Sequence, residues 1–305
     1  MTAPVQFGEM MRRTWINCSK RFIRGFAAAA LLWCTATKTV SAQSNANTAA
    51  LSSASALIAG FGVSYTAPSG FSLSGKDGRI HALANDAQTV ALVLYAGHFS
   101  SLELALGDAQ RVLGVPREED TQIIAPLAPK TFGAHSGLAG SLRVKGEKPV
   151  VAHVAVARIN DSTMIGAVAV LEASAPESTL AVAVASVAQV LTAAESHVAT
   201  PDAQLQAQLT GSWHVEPAAT ANAAAGSYTN EESWVFAADG TFTYRKRFSV
   251  NVPGASITPE ERDENGRWYA TGGAIVLASA EGRITVDVKF ANGKMLFDGS
   301  TFAKR

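Results

Sequence analysis

The chain is poor in the residues that build most catalytic and metal centres. It has two cysteines in 305 residues, Cys18 and Cys34, and both lie in a segment with the marks of an export leader. A product without that leader has no thiol nucleophile, no disulfide and no cysteine metal site. Charged residues are 16% of the chain, with 25 basic against 25 acidic. No basic stripe stands out, which argues against a nucleic-acid partner. No apolar run approaches the roughly 20 residues of a membrane-spanning helix. No His-Glu-x-x-His or Gly-x-Ser-x-Gly pattern occurs.

The leader has three parts. Arg12, Arg13, Lys20, Arg21 and Arg24 form a basic region, "FAAAALLWCTAT" follows as a short apolar stretch, and "VSA" ends at Ala42. This is the order of a cleaved secretory signal over residues 1–42, with the product starting at Gln43 in the periplasm or outside the cell. The Arg12-Arg13 pair leaves twin-arginine export open beside general secretion. Six of the 25 basic residues and one of the 25 acidic ones leave with it, so the product carries 19 against 24, a net charge of −5.

Residues 43–57 hold mostly Ala, Ser and Asn and are expected to form a flexible arm. Residues 197–208, polar and containing Pro201, are expected to be a linker. Between them, "FGVSYTAP", "RIHALA" and "TVALVLYAG" read as strands broken by turn residues. Leu102, Leu106, Ala109 and Leu113 then fall on one helical face, opened by serine and closed by Gly114 and Pro116. Three strand candidates follow at 137–146, 150–159 and 163–173, joined by connections short enough to demand antiparallel hairpins. The last helix, 174–195, begins with Ser174 and Glu177 at capping-box spacing, and Leu180, Val184, Val187 and Leu191 are its expected buried stripe. An antiparallel sheet carrying two main helices is an α+β fold.

After residue 208 the pattern changes. Asp239-Gly240, Asn265-Gly266, Gly272-Gly273, Glu281-Gly282, Asn292-Gly293 and Asp298-Gly299 punctuate short alternating runs. Such pairs accept the positive φ of tight hairpin turns. In "WVFAADGTFTYR", Trp234 and Phe236 share one face and are placed to meet Phe242 and Tyr244 across the turn. Residues 209–305 thus read as an all-β up-and-down meander, and closure into a barrel removes its exposed edge.

Two resemblances follow. Strand order, the opening "APSGFSL" and the long closing helix make residues 58–196 similar to the PsbP/Mog1-like fold, which implies binding or assembly. "LTGSW", "FAADGTF", "GRW", "LASAEGR" and "FDGSTFAKR" resemble the small lipocalin-like domains of exported bacterial proteins. That resemblance implies barrel closure by Gly211 and Trp213, covered by Lys304 or Arg305. It also marks Trp213, Trp234, Phe236, Phe242, Tyr244 and Trp268 as ligand-lining or closing aromatics.

Other candidates have plain structural readings. His81, His98, His135, His153, His197 and His214 show no metal-ligand spacing, and no cofactor is implied. "GAHSG" around Ser136 lacks the nucleophile elbow. "ERDENG", residues 261–266, alternates oxygen ligands ahead of a glycine, but it lacks the Asp of the first position of a calcium loop and has Gly272 where the twelfth needs a bidentate carboxylate. The long insert at 245–264 reads as a charged loop or a lid over the barrel mouth. The expected function is a non-enzymatic, two-domain binding or accessory protein of the bacterial envelope. Its partner would be an envelope protein or a small apolar ligand. Carriage of that ligand in the barrel is the alternative, and a serine hydrolase using Ser136 a lesser one.

Overall fold

The computed structural model describes residues 55–113, 121–145, 148–215, 227–252, 255–256 and 260–305. Residues 1–42, expected to be a signal, with both cysteines, the closing Gly114 and Pro116, and residues 43–54 of the expected arm lie outside this set. The chain divides into two compact units at Ala199/Thr200.

The first unit opens with strands β1 (Ser55–Ile58) and β2 (Val63–Thr66), so the expected arm ends in a strand rather than coil at 57. A seven-stranded antiparallel sheet follows. Its strands are β3 (Phe71–Asp77), β4 (Ile80–Asn85), β5 (Ala91–His98), β6 (Thr121–Phe132), β7 (His135–Val144), β8 (Val150–Arg158) and β9 (Thr163–Glu172), in the order β3-β4-β5-β9-β8-β7-β6. Helix α1 (Leu102–Leu113) is capped by Ser101, whose Oγ accepts from the Leu104 amide at 3.3 Å. Helix α2 (Glu177–Thr192) leads to β10 (Glu195–Ser196), which pairs with β2.

Side chains alternate across β8. Ala152, Val154 and Val156 pack with Ala105, Leu106 and Ala109 of α1, while His153 faces α2 on the other side. Two buried polar links tie α1 to the sheet. The Tyr95 hydroxyl donates to the Ala105 carbonyl at 2.9 Å, above Gly166, where a Cβ would run into the ring. Arg79 forks onto both oxygens of Asp108 at 2.5 and 3.1 Å, with both side chains almost fully buried.

Two expectations about α2 fail. Its N-cap is Pro176, without a side-chain cap, and the Ser174 hydroxyl instead reaches Glu172 at 3.5 Å. Its buried face is Ala183, Ser186, Val187, Val190 and Leu191, so Val187 and Leu191 of the expected stripe are covered while Val184 stands 37% exposed. The helix is apolar nearly all round, so periodicity alone did not mark which side meets the sheet.

The second unit begins inside the expected linker. Pro201 bridges to Thr271, the Asp202 carboxylate caps α3 (Ala203–Leu209) by accepting from the Leu205 amide, and Leu205 and Leu209 enter the core. Strands β11 (Gly211–Val215), β12 (Ser227–Phe236), β13 (Thr241–Val252), β15 (Glu260–Thr271), β16 (Ala274–Ser279), β17 (Gly282–Ala291), β18 (Lys294–Phe297) and β19 (Ser300–Lys304) pair in sequence, and β19 returns to β11. This is a closed eight-stranded antiparallel barrel, with the short β14 (Ala255–Ser256) on β13.

Asn265-Gly266 is not a turn. It lies within β15, where Gly266 lets Phe242 cross at a distance a Cβ would shorten to 2.8 Å. The expected insert is mostly an extension of the β13–β15 ladder, which pairs Phe248 with Glu260 and continues to Thr241 with Arg267. The calcium-loop reading of 261–266 falls with it, because strand backbone holds those side chains alternately on opposite faces. The charges across this ladder meet as exposed pairs, Arg245–Asp263 at 3.1 Å and Arg247–Glu261 at 3.6 Å.

Candidate functional site

The sequence-marked aromatics of the barrel pack on one another. Trp234 lies opposite Tyr244 in register with ring centroids 4.3 Å apart, and it stacks on Phe236 at 5.7 Å. Phe236 meets Trp268 at 4.9 Å, and Phe297 meets Trp234 edge-on at 5.1 Å. Trp213, Trp234, Phe236, Phe242, Tyr244 and Trp268 are all buried, joined by Met295 and Phe302. These rings pack against one another between strands, as the side chains of small barrels can.

One end of the barrel is closed. The Trp213 indole donates to the Leu209 carbonyl at 2.7 Å, and Lys304 Nζ stands 5.3 Å from its ring centre while donating to the Gln208 carbonyl at 3.0 Å. Lys304 is therefore the covering base. Arg305, the other candidate, is exposed and uses its backbone amide to bond Ser212. Gly211 leaves room for the lysine stem, because a Cβ there would stand 2.7 Å from Lys304 Cε.

The opposite end is polar. Glu232 accepts from the Tyr244 hydroxyl at 3.2 Å, and Arg262 lies over the Tyr244 ring while pairing with Glu264 and Glu281. Burial raises the Glu232 pKa despite the opposing pull of Lys246. Burial, and then the Glu232 charge, raises that of Tyr244. The buried Trp234 Nε1 also acts weakly on Glu232 but has no hydrogen bond of good geometry.

The six histidines are held apart. His81 bonds Tyr65 at 2.8 Å, His135 the Ala194 carbonyl, His153 Ser141, His197 Ser64 and His214 Ser212, while His98 packs edge-on against Phe61. Among the described residues no three metal-ligating side chains cluster, and Ser136, exposed on β7, bonds no histidine. No helix among them is long and apolar enough to cross a membrane.

The first unit holds an open groove. A groove of about 480 Å³ runs between α2 and the β6–β7 side of the sheet, within the roughly 300–1,000 Å³ of ligand pockets. Leu180, Ala181, Val184 and Ala188 form its helical wall, and Phe132, Ala139 and His153 belong to its sheet side. Lys130 and Glu177 supply its charges. The His153 ring is fixed by Ser141, whose Oγ meets Nδ1 at 2.9 Å, and Nε2 has no protein partner among the described residues. Burial lowers the His153 pKa first, and the Lys130 ammonium lowers it further, so the imidazole is neutral at pH 7.

Nearby, β6 is a sheet edge with two register breaks and with Pro126 and Pro129 in its run. Such an edge resists pairing with another strand. Ile123, Ile124 and Leu127 are exposed on it as side chains. Sequence reasoning passed over this groove. Its signal was the apolar residue content of α2 beyond one helical stripe, joined to a lone histidine in an Ala/Val strand.

No protein-family model matches the chain, and no curated protein matches it. Solved structures similar to parts of it include the following two. A protein of Bacteroides thetaiotaomicron VPI-5482, determined at 1.50 Å resolution, is 9% identical over 52% of this chain and 51% of its own, with a TM-score of 0.32. The cyanobacterial PsbP (CyanoP) of Synechocystis sp. PCC 6803 is 11% identical over 51% of this chain and 99% of its own, with a TM-score of 0.34. The chain spans about half the length of the first of these. At such scores the likeness carries no argument, and the architecture stands on its own strand pairings.

Proposed function

We propose that this chain is an exported, non-enzymatic two-domain binding protein of the bacterial envelope or exterior, and that it binds apolar groups in the first-unit groove. The observation that carries this reading is the open apolar channel beside α2, whose floor presents one fixed, neutral imidazole. Apolar lining with few placed polar groups is the ordinary composition of a binding site. The leader-like residues 1–42 support export. Histidines spent singly on separate hydroxyl, carbonyl and ring partners support binding over catalysis. The interlocked rings of the barrel favour a structural role for the second unit over ligand carriage.

The test is uptake of the neutral fluorescent probe N-phenyl-1-naphthylamine. Saturable enhancement is expected with the native protein. Val184→Trp, at a partly exposed position, should fill the groove and abolish it without altering circular dichroism. Equal enhancement in that variant would overturn the assignment.

A further inference from the structure

The charges of the groove define its ligand more narrowly. Lys130 makes no ion pair among the described residues, and neither does Glu177. The two are not equivalent toward His153. Lys130 shares the sheet side of the groove with His153, and its charge lowers the His153 pKa, whereas Glu177 stands in the first turn of α2 on the helical side. The sheet side of the groove thus carries its cation beside the imidazole, and that ammonium has no ion pair among the described residues.

The imidazole completes the arrangement. When the Ser141 hydroxyl donates to Nδ1, the neutral ring carries its proton on Nε2. Nε2–H and the Lys130 ammonium are then two donors at the groove. Beyond Glu177 in its first turn, the helical wall of Leu180, Ala181, Val184, Ala185 and Ala188 offers no polar side chain to a chain laid along it.

Resting on the binding role assigned above, we propose that the groove takes a single-chain carboxylate amphiphile. Lys130 and His153 hold its head, and its tail lies against α2. A carboxylate suits these donors because its two oxygens accept from both at once, and charge-assisted bonds are about twice as strong as neutral ones. The tail contributes by removing apolar surface from water, roughly in proportion to the area covered.

Calorimetric titration of the purified protein with decanoate, 1-decanol and decyltrimethylammonium at neutral pH tests the proposal. Decanoate should bind about tenfold or more tightly than either other compound, as a charge-assisted bond of about 1.5–3 kcal/mol implies. Lys130→Met should bring decanoate to the level of decanol, and His153→Phe should weaken decanoate while sparing decanol. Equal affinity for decanoate and decanol would overturn the head-group assignment and leave the groove assignment standing. Tightest binding of decyltrimethylammonium would overturn it in favour of Glu177. If Val184→Trp and Ala181→Phe, both folded, bind all three compounds as the native protein does, the groove assignment itself falls.

Discussion

The two units solve the same problem with side chains of different size. The central strands and α2 of the first are built of Ala, Val and Gly, as in "VVAHVAVAR" and "AVAVASVAQV". The inward positions of the second carry Trp, Phe, Tyr and Met. Small side chains let α2 lie close over β8 and β9, and a groove is left between the helix and the β6–β7 side of the sheet. Large rings reach across a barrel and lock. Side-chain volume at the inward positions therefore shapes how each core is filled.

The largest expected effects break each unit at its own weak point. Phe236→Ala removes a fully buried ring from the barrel and should destabilise it by about 3–5 kcal/mol. Asp108→Ala leaves the Arg79 guanidinium buried without its fork, and should cost the first unit about 3–5 kcal/mol. The tryptophans of the described residues, Trp213, Trp234 and Trp268, all lie in the second unit. In protein cleaved after Ala42, tryptophan emission should shift to a lower melting temperature with Phe236→Ala and hold with Asp108→Ala. Equal shifts in both variants would show that the units melt as one and dissolve the contrast.

Acid sharpens it in opposite directions. In the first unit His81 is pushed down from 6.5 to about 4, by burial and then by Lys76, and His153 moves the same way. A folded state that resists protonation is favoured above pH 6.5 and loses that advantage as pH falls toward 4. In the second unit burial raises the Glu232 pKa above 4.5. The folded barrel holds that proton more tightly than the unfolded chain, so its stability falls as pH rises through the raised value. Asp239, held below 3.8 by Thr241, titrates under this window. Between pH 6.5 and 4.5 the first unit should weaken while the second strengthens. Hydrogen exchange of backbone amides, read separately for each unit, checks the signs. His81→Gln should flatten the first slope and Glu232→Gln the second.

What was legible beforehand follows the same division. Strands with strict alternation and turns with paired glycines read through cleanly: Trp234 does face Tyr244, and Gly272-Gly273 does reverse the chain with both φ positive. Asn265-Gly266 misled because a glycine also serves close approach, here beneath Phe242, and only the neighbouring strand reveals which need applies. The helix α3 was hidden in a polar stretch since two leucines, Leu205 and Leu209, make up its whole buried face. Strand β6 escaped notice because its prolines and exposed side chains give no period of two. The groove left only an indirect trace, the apolar surplus of α2 and His153 among Ala and Val, because it is a space between elements far apart in the chain.

The smallest effect separates two adjacent cations at the closed end of the barrel. Lys304 spans the Trp213 ring and bonds the Gln208 carbonyl in the last turn of α3. Arg305 contributes its backbone amide to Ser212 and leaves its side chain in water. Lys304→Met keeps most of the apolar stem but removes the cation and the hydrogen bond, and should lower barrel stability by about 1 kcal/mol. Arg305→Met should change it by less than about 0.5 kcal/mol. Urea unfolding followed by tryptophan emission resolves the difference as a midpoint shift at constant slope. Equal midpoints for the two variants would mean that the ring of Trp213, seated on the Leu209 carbonyl, closes the barrel without help from the lysine, and that the rings alone account for the second unit's solidity.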